Sequence, residues 1–432
     1  MKKRGIAILI CVMMCSSILG CGSTGKAELL VPKTVQEEAI HKESEGEAKK
    51  EVEKSTERSV WEFSKQLLQE NMQEENPVLS PVSVYLAMGM TGLGAAGDTL
   101  QEFHTVMGGK VHEAAEQLIQ KLPRGTMPEG KVSKEETRET VLSLANSAWV
   151  DNSLAPLDSW LTAVSEKYNA EVYHGELSDQ GTMKQMNGWI KHKTNGMIEN
   201  FLSKPLEPDT CLALFNTVYF YGQWRSEFSA GATQKDAFTL ENGTEQQVDM
   251  MRKNRTHLYY VMGEDWDGAV LPYRDGKTVF AALKPTADQS VREMFDSFSE
   301  DDLKSILEVE ATTYANLKLP KFEVTFDKEL NEALINMGLQ SAFDPDTADF
   351  SELGISDMGN IYISLVRQKA VIAVDEKGTE AAAVTMVTQK ATSAAPPKEE
   401  PIDVFFDKPF LYMIVDVEQQ MPVFMGIMDC PK

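Results

Sequence analysis

Val374-Asp375-Glu376-Lys377-Gly378-Thr379-Glu380-Ala381-Ala382-Ala383-Val384-Thr385 is a stretch with two conformations open to it. An apolar run enters it, Gly378 interrupts it, and three alanines lead into a tract rich in Ser, Ala and Pro that reaches Pro397. An alanine triplet ordinarily means helix or a tight core contact. Laid out as a strand, the same residues put Thr379, Ala381, Ala383, Thr385 and Val387 on one face, with Glu380, Lys390 and their neighbours on the other. The first face is small or β-branched throughout, so it could slip between two existing strands. A segment able to be exposed loop or buried strand is a candidate conformational switch.

The chain around it has 432 residues, 42% hydrophobic and 25% charged, which allows one large domain or two ordinary ones and excludes disorder throughout. Lys and Arg total 42 against 66 Asp and Glu; the net charge of -24 opposes an electrostatic grip on nucleic acid. Five Cys with no CxxC pair argue against a disulfide scaffold and against a thiolate zinc site.

The N-terminus has the layout of an export signal: basic residues at 2–4, an apolar run over 6–19, then Gly20 and Cys21. A helix over that run rises only about 21 Å, short of a bilayer core of about 30 Å, so a spanning helix is not expected. Ile18-Leu19-Gly20-Cys21 resembles the lipobox of bacterial lipoproteins, in which the Cys is acylated and becomes the first mature residue. The alternative is an ordinary secreted protein; either way the chain leaves the cytoplasm, and a lipid on Cys21 would hold it at the cell envelope. Cys11 and Cys15 would depart with residues 1–21, leaving Cys211 and Cys430, both expected unpaired. Residues 22–57 are Glu, Lys, Ser and Thr with few large apolar side chains, a composition expected to form a flexible tether.

From 58 to 432 helix and strand patterns interleave without a linker-like break until the last forty or so residues. Trp61, Phe63, Leu67 and Leu68 share a face of a helix expected over 60–72. Ser80-Pro81 supplies an N-cap and first-turn proline for a helix to about 90. Strands are expected over 142–150, 212–221, 278–283 and 314–319, with further ones within 361–374 and 410–427. The expected class is α+β with mixed sheets.

Enzyme motifs fail in context. Gly92-Leu93-Gly94-Ala95-Ala96-Gly97 spells GxGxxG, but a helix precedes it where a dinucleotide site needs a strand. There is no GxSxG elbow, Walker loop or HExxH; His112-Glu113 meets Glu116 where a second His is required. Six His, one of them His41 in the tether, leave a hidden triad unsupported, and His104 and His257 read as structural.

Over the whole of 58–432 the chain resembles the serpins. The likeness rests on Asn76-Pro77-Val78-Leu79-Ser80-Pro81-Val82-Ser83, on Leu214-Phe215-Asn216-Thr217-Val218-Tyr219-Phe220 with Gly222 and Trp224, and on Leu319-Pro320-Lys321-Phe322. The stretch from Glu376 to Ala383, Asp407-Lys408-Pro409-Phe410 and Pro422-Val423-Phe424-Met425-Gly426 complete it.

The resemblance implies a serpin fold, with a large central mixed sheet, further sheets, surrounding helices and an exposed reactive-centre loop over about 376–401. It implies an inhibitor rather than an enzyme: a serine or cysteine protease cuts the loop, forms an acyl-enzyme, and is trapped when the freed hinge inserts as a strand. The hinge would be Gly378, Thr379, Glu380, Ala381, Ala382 and Ala383; the breach, where insertion begins, Glu376, Lys321 and Trp224, with an ion pair between Lys321 and Glu376. The shutter, where strands part, would be Ser80, Ser83 and Asn216, with Gln368 where the family usually has His. Family spacing puts the reactive-site bond at Thr392-Ser393, suiting an elastase-like protease; Lys390-Ala391, suiting a trypsin-like one, is the alternative. A non-inhibitory binding protein or a mere protease substrate is the other functional expectation. No metal or organic cofactor is implied, and a monomer is expected.

Overall fold

The computed structural model describes residues 27–30, 60–127, 139–379 and 400–431. A seven-stranded sheet runs in the order Glu28–Leu29, Ala170–Gly175, Val141–Asp151, Leu212–Gln223, Gly378–Thr379, Arg367–Val374 and Phe322–Glu329. Among the described residues its only parallel pair is Val141–Asp151 with Ala170–Gly175.

A nine-stranded sheet is built around Phe410–Asp416 and Met421–Met428, every residue of which is buried. Strands buried on both faces read as continuous apolar runs, which is why the sequence carries no alternation there. Gly354–Ser356 and Leu154–Pro156 form a third, two-stranded sheet. The α+β mixed-sheet class expected from the sequence is the one observed.

Helix Pro81–Gly92 joins the two large sheets, packing on Leu212–Gln223 and on Met421–Met428. All of its residues except Ala87 are buried, so it has no polar stripe. Helix Gln180–Lys193 lies against the seven-stranded sheet through Met183, Met186, Trp189 and Ile190, in one apolar cluster with Trp149 and Phe215.

Several expectations need correction. Ser80 precedes Pro81 as expected, but its side chain makes no capping bond; it is the Ser80 backbone that bonds Gln368 of the sheet. The first helix covers 60–69 and then gives way to turns, with Asn71 Nδ2 donating to the Leu67 carbonyl at 2.8 Å. Residues 361–366 are irregular, and the strand begins only at Arg367. Within the span expected to be a flexible tether, Glu28–Leu29 adds a strand to the outer edge of the seven-stranded sheet, because Ala27 and Leu30 find apolar partners there. At the GxGxxG segment the expectation holds: a helix, not a strand, precedes it, ending at Gly92, and the next helix, Gly97–Met107, opens at the last glycine.

Candidate functional site

Strand Leu212–Gln223 pairs along most of its length with Val141–Asp151, yet on its other side, among the described residues, its ladder consists of Gly378 and Thr379, opposite Gln223 and Gly222. Thr379 also pairs with Val374 at the end of Arg367–Val374. Below Thr379, toward Leu212, no described residue bridges Leu212–Gln223 and Arg367–Val374. A cavity of about 550 Å³ occupies this slot, lined by Ser80, Asn216, Thr217, Gln368, Val371 and Thr379 among others.

The mouth of the slot is made by a tight reversal at residues 375–378. Asp375 Oδ1 accepts from the backbone N–H of Lys377 at 2.8 Å and of Gly378 at 3.2 Å, and Asp375 N–H donates to the Gly378 carbonyl at 2.9 Å. This side chain turn sends the chain back down between its neighbours. Gly378 is needed for the approach: a Cβ there would stand 1.9 Å from the Gly222 carbonyl oxygen.

Aromatic stacking supports the turn from beneath. Trp224, 1% exposed, donates Nε1–H to the Asp375 carbonyl at 2.8 Å and stacks on Tyr273 with centroids 4.7 Å apart. Tyr273 and Thr379 share a hydroxyl hydrogen bond of 2.5 Å, which leaves Thr379 only 3% exposed. On the other side, Lys321 Nζ lies 3.1 Å from Glu376 Oε2, and Thr233 Oγ1 donates to Glu376 Oε1 at 2.8 Å. Burial alone would raise the Glu376 carboxyl; its own backbone N–H, Thr233 and Lys321 together hold it below the usual carboxylate range. Its neighbour Asp375 goes the other way, pushed up by burial despite the two backbone donors.

Deeper in the slot, Gln368 is clipped to the start of helix Pro81–Gly92. Its Nε2 donates to the Ser80 carbonyl at 2.9 Å and its Oε1 accepts from Ser80 N–H at 3.3 Å. Across the gap, Ser83 Oγ donates to the Asn216 carbonyl at 3.4 Å, and Asn216 Nδ2 donates to Asn146 Oδ1 at 2.6 Å. Three buried oxygens along the cavity, Ser80 Oγ, Asn216 Oδ1 and Thr217 Oγ1, have no hydrogen-bond partner.

Thus Glu376, Lys321, Trp224, Gly378 and Thr379 gather at the mouth, and Ser80, Ser83, Asn216 and Gln368 lie along the slot. Glu380, Ala381, Ala382, Ala383, Lys390, Ala391, Thr392, Ser393 and Cys21 lie outside the described residues. The sequence did not single out Tyr273, Thr233 or Asn146. Their signal is tertiary, since each acts through a partner more than sixty residues away. Cys211 and Cys430 are both free thiols. Among the described residues no cluster of His, Cys, Asp and Glu could hold a metal ion, and no helix is long and apolar enough to cross a membrane.

A family profile described as "Serpin (serine protease inhibitor)" matches residues 55–431. The chain belongs to the serpin family. Among curated serpin relatives, Iripin-3 of Ixodes ricinus is 32% identical over 365 residues, covering 82% of this chain and 88% of its own. The native state of tengpin, a thermophilic serpin, superposes with a TM-score of 0.79 at 30% identity, covering 94% of this chain and all of tengpin's. Tengpin in its latent state gives 0.72 at 28% identity, over 91% of this chain and all of tengpin's. Thyroxine-binding globulin in complex with thyroxine shares the fold, with a TM-score of 0.73 at 24% identity, covering 87% of this chain and 99% of its own.

Proposed function

We propose that this serpin is an irreversible suicide-substrate inhibitor of serine proteases, which traps the acyl-enzyme by drawing its cut loop into the slot between Leu212–Gln223 and Arg367–Val374. The observation that carries the proposal is the hinge: Gly378 and Thr379 already occupy the first two positions of the strand that insertion would complete. No other described residue bridges the two strands, and the next residues on the inserting face, Ala381 and Ala383, are small enough to follow. Breach and shutter roles go to the residues at the mouth and along the slot, respectively.

The energetics favour the trap. About fourteen inserted residues at about 3.3 Å each carry the acyl-linked protease about 46 Å, from one pole to the other. At about 1 kcal/mol net per new backbone hydrogen bond, insertion yields about 10 kcal/mol before side-chain burial is counted. Partners for Ser80 Oγ, Asn216 Oδ1 and Thr217 Oγ1 would add to this. Displacing catalytic groups of the protease by about 1 Å slows deacylation about a hundredfold, so insertion wins the race against hydrolysis.

Small residues at Ala391, Thr392, Ser393 and Ala394 favour an elastase-like target cut at Thr392-Ser393; cleavage after Lys390 by a trypsin-like enzyme is the second choice. We assign the chain to the outside of the cell, anchored through an acylated Cys21 in the manner of a bacterial lipoprotein. The alternative, a carrier using the 550 Å³ cavity, draws on the fold shared with thyroxine-binding globulin. Incubation with pancreatic elastase and with trypsin, followed by denaturing electrophoresis and mass spectrometry of the released peptide, separates these. A covalent adduct with release after Thr392 is expected; cleavage with no adduct from either enzyme would defeat the inhibitor assignment.

A further inference from the structure

Residues 27–30 are held to the sheet edge by five separate contacts. Ala27 is buried in the cluster of Trp149, Leu177, Met183 and Met186, and its carbonyl accepts from Gln185 Nε2 at 3.0 Å. Glu28 and Leu29 pair antiparallel with His174 and Tyr173. Leu30 N–H donates to the Val172 carbonyl at 2.8 Å, and its side chain packs on the main core. The fit requires a glycine opposite: a Cβ on Gly175 would stand 2.7 Å from Ala27 Cα.

The register says at which end of the sheet this happens. Gly175 pairs with Asp151, one step beyond the pairing of Val150 with Leu212, whereas the hinge pairs with Gly222 and Gln223. Ala27 therefore lies about eleven strand residues, or about 36 Å, from the hinge along the strand direction. Because Glu28–Leu29 runs antiparallel to Ala170–Gly175, the chain reaches Ala27 from the pole opposite the hinge. Six residues separate Ala27 from Cys21, a reach of at most about 20 Å. A tether free from 22 to 57 would instead let the domain wander to roughly 33 Å on average and turn either pole to the surface.

We propose that residues 27–30 are a strap that faces the hinge-distal pole of the seven-stranded sheet toward the lipid surface, so that the anchored molecule holds its bait outward. This rests on the anchoring of Cys21 proposed above. An acyl-linked protease carried to the far pole would then arrive on the bilayer side.

The test uses the mature chain from Cys21, coupled through that residue to a maleimide lipid in phosphatidylcholine vesicles, with a fluorophore installed at position 209, near the distal pole, or at position 225, near the hinge. With a quencher on the lipid headgroups, position 209 should be quenched several-fold more than position 225. Ala27→Arg should equalise the two and abolish amide-exchange protection at Leu30. A ten-residue Gly/Ser insertion after Ser23 leaves the strap intact, so it should keep Leu30 protected while weakening quenching at both positions. Equal quenching in the unmodified chain, or a polarity that survives Ala27→Arg, would overturn the strap. Mass spectrometry of the protein made by its own cell decides acylation separately: an unmodified Cys21 there would remove the anchor, whatever the coupled chain shows.

Discussion

In the proposed mechanism Thr379 is the residue at which the bait loop and the inserted strand meet. It is buried against Tyr273 in the uncut molecule, so its side chain already samples the environment that the rest of the inserting face must enter. An arginine there would be forced into the buried place of Thr379 beside Tyr273, Trp224 and Gly222, and burying a charge is far more costly than burying a methyl group. Thr379→Arg should expel the hinge and slow insertion enough for hydrolysis to win, converting inhibitor to cleaved substrate. On denaturing gels the adduct should fall at least tenfold while the cut band rises; adduct at the wild-type level would contradict the insertion argument. The more conservative Tyr273→Phe removes only the hydroxyl contact and should retain most of the adduct.

At the scale of elements, two contacts bear on the proposed parting of the sheet. Gln368 clips Arg367–Val374 to Ser80 with one donor and one acceptor, and neither titrates. Gln368→His would keep both bonds while neutral, but imidazolium has no acceptor for Ser80 N–H. The variant should therefore lose about 1 kcal/mol relative to wild type as pH falls from 8 to 6, read as the difference between their melting temperatures; parallel pH profiles would show that the clip is not limiting.

The second contact is His112, at the start of helix Val111–Lys121, whose Nδ1 meets the Tyr168 hydroxyl at 2.8 Å; the Tyr168 carbonyl in turn accepts from Asn146, which holds Asn216. Burial first, then Lys167 and His104, lower His112 to about 4, with Glu113 opposing. A depressed histidine leaves the unfolded chain binding the extra proton, so stability should drop as pH falls from about 6.5 toward about 4 and level off below. His112→Gln should flatten that part of the melting profile, and a profile unchanged by the substitution would exclude this histidine as its source.

The same scale shows what could be read without coordinates. The hinge, the strand carrying Asn216 and the two apolar C-terminal strands announced themselves by small residues, by motif or by continuous hydrophobicity. Strand Glu245–Met262 did not: Met250 and Met251 are buried in succession, its pairing with Thr313–Pro320 shifts register between Ala315 and Leu317, and Arg255 takes φ 52°, so no alternation survives. The strand at residues 28 and 29 was hidden for a different reason. Its stability comes from the empty place at Gly175 and from the cluster under helix Gln180–Lys193, neither of which leaves a mark in its own composition.

For the whole molecule, the decisive quantity is the free-energy difference between the intact chain and the cut one. Among the described residues the intact form has a cavity of about 550 Å³ between Leu212–Gln223 and Arg367–Val374, with Ser80, Asn216 and Thr217 along it. Under the proposed mechanism, cutting within 380–399 would free a strand that fills this cavity. If the roughly 10 kcal/mol expected from new backbone bonds is realised, the cut molecule should melt well above the intact one, by about 10 °C or more, since each kcal/mol moves the midpoint of a domain of this size by about 1.3 °C. Elastase nicking at low enzyme ratio, followed by removal of the enzyme and calorimetry, measures this directly. Thr379→Arg, nicked in the same way, should gain much less, because its cut loop cannot enter the slot. Equal midpoints for intact and nicked wild type would mean that the open slot stores nothing, and the trap would then lack its driving force.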